Sequence, residues 1–225
     1  MIVFLHGFTG APDVWEGPGV ALPVAGHHPE LLGPITWDTE IRRLHAVLAP
    51  LAPVHLVGYS MGARLALGLL AHDPTPFARA TLISVNPGLA DESQRRARVA
   101  DDERWARLIE TQGLPAFVDA WEAQPLFASQ ASVPAERRRR AHERRLRHDP
   151  AGLTAALRGL GLGVMPDLWP SLTTLPVPVT FVAGERDAKF AALAARAVAQ
   201  APRAALRVVP GAGHDLCLEC PKELP

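Results

Sequence analysis

A serine, an aspartate and a histidine, far apart in the chain, each stand in a short polar loop that directly follows an apolar run. Ser60 lies in Gly58-Tyr59-Ser60-Met61-Gly62, after Val54–Val57. Asp187 lies in Gly184-Glu185-Arg186-Asp187, after Val177–Ala183. His214 closes Gly211-Ala212-Gly213-His214, after Ala205–Val209. Brought together, these groups make a strong base or nucleophile. The imidazole takes a proton from the hydroxyl or through it, and the carboxylate fixes the imidazole tautomer and stabilises the imidazolium. Glu185 is the competing acid, but Asp187 stands later in its turn and is preferred. Asn86, at the end of another apolar run, cannot be the acid. An oxyanion needs two N–H donors, and the backbones of Met61 and Phe8 are the candidates. Each such donor contributes about 3–4 kcal/mol to the transition state. His6, beside Phe8 in His6-Gly7-Phe8, is expected to support that loop.

These loops need elements to carry them. Ile2–Leu5 and Val20–Val24 read as strands, and Asp38–Leu48 as a helix with Ile41, Leu44, His45 and Leu48 on one face. Val54–Val57 is a strand and Met61–Ala71 a helix, so Ser60 sits at a sharp strand-to-helix reversal. Such a reversal brings backbone against backbone, which requires Gly58 and Gly62 to lack a Cβ. Ala80–Val85 is a further strand, closed by Asn86-Pro87-Gly88. From about Leu89 to Pro170 the chain is rich in Arg, Glu, Ala and Trp, and reads as amphipathic helices without a strand. The strand rhythm resumes with Val177–Ala183, a helix over Lys189–Gln200 and a strand over Ala205–Val209. This alternation predicts a doubly wound parallel sheet. Parallel strands end on one edge, so Ser60, Asp187 and His214 are expected to converge there. Residues 1–88 and 171–225 then form the core, and 89–170 a helical lid over that edge, where open α/β sheets bind ligands.

Arginines are the next signal. Arg64 lies one helical turn beyond Ser60 and is expected to point into the same cleft. Arg98 and Arg147 lie in the insertion, where spacing does not give their direction. The run Arg137-Arg138-Arg139-Arg140, with Arg144, Arg145 and Arg147, is flanked by Glu136 and Glu143 and lacks interleaved aromatics. It reads as a solvated helix rather than a nucleic-acid stripe. Trp105, Trp121, Phe127 and Trp169 read as packing residues, with Trp121 and Phe127 able to line an apolar wall. Cys217 and Cys220 are too few for a disulfide framework or a zinc site and are expected to pack.

The 225 residues carry 23 basic and 23 acidic side chains, so nothing global favours nucleic acid or an anionic membrane. The start, Met1-Ile2-Val3-Phe4-Leu5, has no basic flank and is too short for a signal peptide or a membrane span. A cytoplasmic protein is expected.

The Gly-x-Ser-x-Gly turn between strand and helix is the nucleophile elbow of the α/β-hydrolase fold, and the order Ser, Asp, His is that fold's triad order. Several stretches resemble, more narrowly, the 2-succinyl-6-hydroxy-2,4-cyclohexadiene-1-carboxylate synthases of menaquinone biosynthesis. They are Phe4–Gly10, Gly58–Leu67, Asn86–Leu89, Gln124-Pro125-Leu126-Phe127-Ala128-Ser129, Gly184–Phe190 and Gly211–His214. The resemblance implies a lyase that removes a proton from a succinyl-bearing cyclohexene carboxylate and expels pyruvate, without metal or organic cofactor. It implies Ser60, Asp187 and His214 as the triad, and Arg64, Arg98 and Arg147 as holders of substrate carboxylates. It also implies Tyr59, Trp121 and Phe127 as pocket residues. Permanently charged, bidentate cations suit a polycarboxylate. The alternative is a carboxylesterase or other serine hydrolase working through an acyl-enzyme. Where the family has Asp-Leu-Pro-Gly-His-Gly, this chain has Leu22-Pro23-Val24-Ala25-Gly26-His27-His28, with a shortened segment before it. It begins at the strand leading to His6, without the fold's usual two N-terminal strands. About six strands are therefore expected, with a sheet edge open to cover or to a homodimer partner.

Overall fold

A computed structural model describes residues 1–31 and 33–225. Six strands form one parallel sheet: β1 (Ile2–Leu5), β2 (Val20–Leu22), β3 (Val54–Tyr59), β4 (Phe77–Ile83), β5 (Val179–Gly184) and β6 (Ala204–Val209), in the order β2-β1-β3-β4-β5-β6. The strand count and parallel order are those expected. β2 ends at Leu22, two residues short of the apolar run, and the segment between β1 and β2 carries only a single turn of 3-10 helix at Pro12–Val14. The register pairs Leu5 with Gly58, Tyr59 with Ile83 and Gly184 with Val209. The carboxyl ends therefore lie level, and the loops after β1, β3, β4, β5 and β6 meet on one edge. The strand order reverses between β1 and β3, which opens a crevice there.

Side chains alternate across the sheet. Val3, Leu5, Leu56, Leu82, Phe181 and Ala183 join one apolar cluster with α1 (Trp37–Leu48), α2 (Met61–His72) and α6 (Ala188–Gln200). The opposite face carries Phe4, Val57, Tyr59, Ile83 and Val182. Trp15 and the chain from Ala212 through α7 (Leu216–Glu219) to Leu224 cover it. α1 starts on a reciprocal cap, Thr36 and Thr39 each bonding the other's backbone N–H. α2 is the central helix, with Met61 through Leu70 buried, so its sequence is apolar all round.

Between β4 and β5 stand three longer helices: α3 (Glu92–Glu122), α4 (Ala135–Arg145) and α5 (Pro150–Leu160). α3 is two helices joined at a kink. Gly113 there has φ +84°, and Pro115 follows without an N–H to continue the ladder. α3 and α5 pack through Ala106, Ile109, Phe117, Leu153 and Leu157. No described helix is long and apolar enough to cross a membrane.

Candidate active site

The turn after β3 is built from glycine. A Cβ on Gly58 would lie 2.4 Å from the carbonyl oxygen of Gly62, and one on Gly62 would lie 2.2 Å from that of Leu5. Neither distance is tolerable, so the reversal closes only with both glycines. Between them Ser60 takes φ 51° and ψ −107°, a strained conformation for a residue with a side chain. It stands directly before α2, whose first N–H groups have no acceptor within the helix.

His214 Nε2 lies 3.2 Å from Ser60 Oγ, and its Nδ1 lies 2.7 Å from Asp187 Oδ2. Asp187 does two jobs with one carboxylate. Its Oδ1 accepts the Phe190 N–H at 3.2 Å and so caps α6, leaving Oδ2 for the imidazole. Asp187 and His214 are 7% and 3% exposed, which removes water as a competing partner for their bond. Ser84 Oγ donates to the His214 carbonyl at 2.9 Å, and the Phe190 ring lies 4.4 Å from the imidazole. Glu185 is exposed and accepts instead from the Gly211 N–H at 2.8 Å. The structure thus brings Ser60, Asp187 and His214 together and leaves Glu185 outside.

The loop after β1 carries Phe8. Its backbone N–H has no protein acceptor among the described residues. Two histidines hold the loop from below. His6 Nε2 accepts the Val24 N–H at 3.2 Å and its ring lies 2.9 Å from the Gly7 carbonyl through Nδ1. His27 Nε2 accepts the Thr9 N–H at 3.1 Å. An imidazole nitrogen that accepts must be unprotonated, and burial agrees: it pushes His6 down to about 4 and His27 well below the ordinary histidine value. His148, from the insertion, bonds the Thr9 carbonyl at 3.1 Å.

A cavity of about 210 Å³ opens beside these groups. Ser60, His214, Phe8 and Met61 line it, and so do Arg64, Arg98 and Asp102. Tyr59, Trp121 and Phe127 form part of the wall. Arg64 is buried and donates to the Leu160 carbonyl at 2.8 Å; burial, with Arg98 nearby, pushes it down to about 9. Arg98 Nε bonds Asp102 Oδ1 at 2.9 Å, and burial raises the Asp102 carboxyl above its ordinary value. The arrangement can withdraw a proton while cations hold anionic groups in the same cavity.

The sequence profile of the Alpha/beta hydrolase family matches residues 2–224. The chain belongs to this family. A Bacillus subtilis protein is 34% identical over 98% of this chain and 86% of its own length. The 2-succinyl-6-hydroxy-2,4-cyclohexadiene-1-carboxylate synthase of Enterobacter sp. is 32% identical, over 98% of this chain and 86% of its own. Among solved structures, that of MenH from S. aureus superposes with a TM-score of 0.94 at 29% identity, covering 99% of this chain and 89% of the other.

Within this α/β-hydrolase one expected residue lies elsewhere. Arg147 is exposed, just past the end of α4, and does not line the cavity. The cause is the end of the helix: α4 stops at Arg145, and Arg147 stands in the turn that follows its cap at Leu146. Arg145, the last residue of α4, is the one that faces inward, donating to Glu122 Oε1 at 2.7 Å. Of the other arginines in this stretch, Arg139 and Arg140 pair with Glu136, and Arg144 with Asp13. Cys217 is buried and Cys220 half-buried, both as free thiols.

Sequence reasoning missed Ser84, Phe190, Asp102 and His148. Asp102 had a signal, since it stands four residues after Arg98 on a helix, the spacing of an ion pair. The contacts of Ser84, Phe190 and His148 cross between distant segments and left no local pattern.

Proposed function

We propose that this protein is a lyase of the 2-succinyl-6-hydroxy-2,4-cyclohexadiene-1-carboxylate synthase type, with Ser60, His214 and Asp187 as its base. The observation that carries the reading is one cavity lined both by a Ser60–His214 contact of 3.2 Å and by Arg64 and Arg98. In this reading the Ser60 proton passes to His214, and the Ser60 oxygen takes a ring proton from the succinyl-bearing cyclohexene carboxylate. The electron pair left on carbon forms the new ring double bond as the C–O bond to the enolpyruvyl group breaks. The departing enolate takes the proton held by His214 and leaves as pyruvate. Asp187 stabilises the transient imidazolium. The N–H groups of Phe8 and Met61 stabilise developing negative charge, and Arg64 and Arg98 hold substrate carboxylates. Tyr59, Trp121 and Phe127 shape the wall around the ring. No metal or organic cofactor enters these steps.

In the same reading residues 89–170 act as a lid on the core formed by 1–88 and 171–225. The protein works in the cytoplasm on a small polycarboxylate, without nucleic acid or membrane, and an open edge of the sheet is the face for a homodimer. A monomeric mass in solution would remove that last element. The reaction is tested by pyruvate release from the pathway intermediate, with loss expected in Ser60→Ala and weakened binding in Arg98→Ala. The serine–histidine contact and paired N–H donors also suit an acyl-enzyme. A burst of p-nitrophenol with acylated Ser60, and no pyruvate release, would establish that hydrolytic reading instead.

A further inference from the structure

The cavity wall that carries two arginines also carries an acid. Arg64, from α2, is buried, and both groups it donates to are neutral: the Leu160 carbonyl at 2.8 Å and Met165 Sδ at 3.5 Å. Arg98, from α3, gives its Nε–H to Asp102 Oδ1 at 2.9 Å, and its other N–H groups have no acceptor among the described residues. Asp102 is 3% exposed, and Arg98 is its one hydrogen-bond donor among the described residues. Its Oδ2 rests against the end of α5, where a Cβ on Gly161 would lie 2.4 Å away. Residue 161 must therefore lack a side chain for the carboxylate to stand in this wall. Burial disfavours the Asp102 charge there, and Arg98 and Arg64 favour it. Asp101, the other acid lining the cavity, is exposed and pairs with Arg104 at 2.5 Å.

We propose that Asp102 is a specificity-determining residue: it offsets one of the two positive charges of Arg64 and Arg98, so that this wall takes a single carboxylate and discriminates against a dianion. Two guanidinium groups alone would repel each other and attract an anion more strongly the higher its charge. A fixed negative charge beside both relieves that repulsion and opposes each incoming anion in proportion to its charge. An anion that shares Arg98 with Asp102 and one that displaces it meet the same opposition, because the buried carboxylate cannot turn out into water. A phosphate monoester, with a charge near −2, is opposed about twice as strongly as a carboxylate. One carboxylate also completes the count, since Arg64 has no acid of its own to pair with. The remaining carboxylates of a polycarboxylate substrate then lie elsewhere in the cavity. The inference rests on the reading of this cavity as the substrate site, not on the chemistry of the triad.

The test is calorimetric binding of benzoate and phenyl phosphate to the full chain at about pH 7.5, where the first carries one negative charge and the second nearly two. Asp102→Asn keeps the size of the side chain and its acceptor for Arg98 but removes the charge. It is expected to tighten benzoate about three- to tenfold and phenyl phosphate by about the square of that factor, because the gain scales with ligand charge. Taking the ratio of the two gains cancels the difference in ligand shape. Asp101→Asn, at the exposed acid, is expected to move both affinities less than twofold, and Arg98→Ala to weaken both more than tenfold. Asp102→Ser, neutral and smaller, replaces the Asn variant if its melting temperature shows that it does not fold. Equal gains for the two anions, or gains under twofold for both, overturn the role of Asp102. Wild type that binds neither anion, or binding that Arg98→Ala leaves unchanged, overturns the anion site and this inference with it. Wild type that shows the expected pattern but releases no pyruvate overturns the lyase reading and leaves this inference standing.

Discussion

The two groups of residues that share the cavity, a chemical end and a recognition end, are built by different means. At one end Ser60, Asp187 and His214 leave core loops, and backbone geometry sets each of them. Ser60 is held by a φ of 51° between two glycines that admit no Cβ, and Asp187 by capping α6. His214 is held by Ser84 on its own carbonyl. At the other end Arg64 donates to the Leu160 carbonyl of the insertion, and Arg98, itself on the insertion, pairs with Asp102. A group held by backbone has one position. Arg98, held by an ion pair, can trade its partner for a substrate carboxylate at little cost. The difference suggests that damage at the first end lowers the rate, and damage at the second weakens binding.

Ser60→Ala is the largest break. It removes the proton carrier, and general acid–base catalysis of this kind is worth about 10²–10⁴-fold. Pyruvate release at saturating substrate should fall by that factor with KM within about threefold. Arg98→Ala breaks the other end. A charge-assisted hydrogen bond contributes about 1.5–3 kcal/mol, so KM should rise about 10- to 150-fold with kcat nearly kept. Equal falls in kcat for both variants would remove the distinction between the ends.

Acid sharpens the comparison. His6, His27 and His148 are all held below the ordinary histidine value, with burial the first cause in each. Their folded-state values lie under the unfolded value, so the unfolded chain binds more protons as pH falls below about 6.5. The stability they contribute is complete above that pH and is lost progressively below it. For His6, a shift from 6.5 to about 4 corresponds to about 3 kcal/mol. The Arg158 pairs between α3 and α5 lose their contribution only at lower pH. Hydrogen bonds from Arg158 hold Glu103 and Glu110 below the usual carboxylate range, so these pairs stay ionised as the pH drops. Amide exchange at pH 5 should therefore rise first in residues 6–10 and 24–27, with α3 and α5 still protected. Loss of protection in α3 and α5 first would contradict the assignment.

Much of the chemical end was readable from sequence because its constraints are local. Gly58 and Gly62 are demanded by a turn of a few residues, and a loop after a parallel strand has only one edge to face. Hence Ser60, Asp187 and His214 could be placed together before any coordinate was known. Phe8 was placed by the same rule. The insertion was readable as helical, since α3 to α5 lack any strand pattern, but not in detail. The Arg98–Asp102 pair is local, four residues apart on α3, but where that face of α3 points depends on its packing against α5. The loop histidines His27 and His148 come from segments far from Phe8. The Ser129 hydroxyl reaches Glu219 at 3.0 Å across 90 residues of sequence. Such contacts join segments with no shared period, and periodicity is what sequence reading uses.

Arg147 provides the smallest effect and the finest discrimination. By local match it is a carboxylate holder, yet it stands exposed beyond α4, while Arg145 faces inward between Glu122 and Asp215. Removing an exposed side chain without a structural partner changes stability and binding little. Arg147→Ala should therefore leave KM within twofold of wild type. Arg145→Ala should behave differently, because it strips Glu122 of a 2.7 Å partner and leaves Asp215 buried without its nearby cation. Its first signature should be a lowered melting temperature rather than a raised KM. A tenfold rise in KM for Arg147→Ala would mean that the end of α4 rewinds when substrate enters. The recognition end would then be assembled by the ligand, while the chemical end stands ready without it.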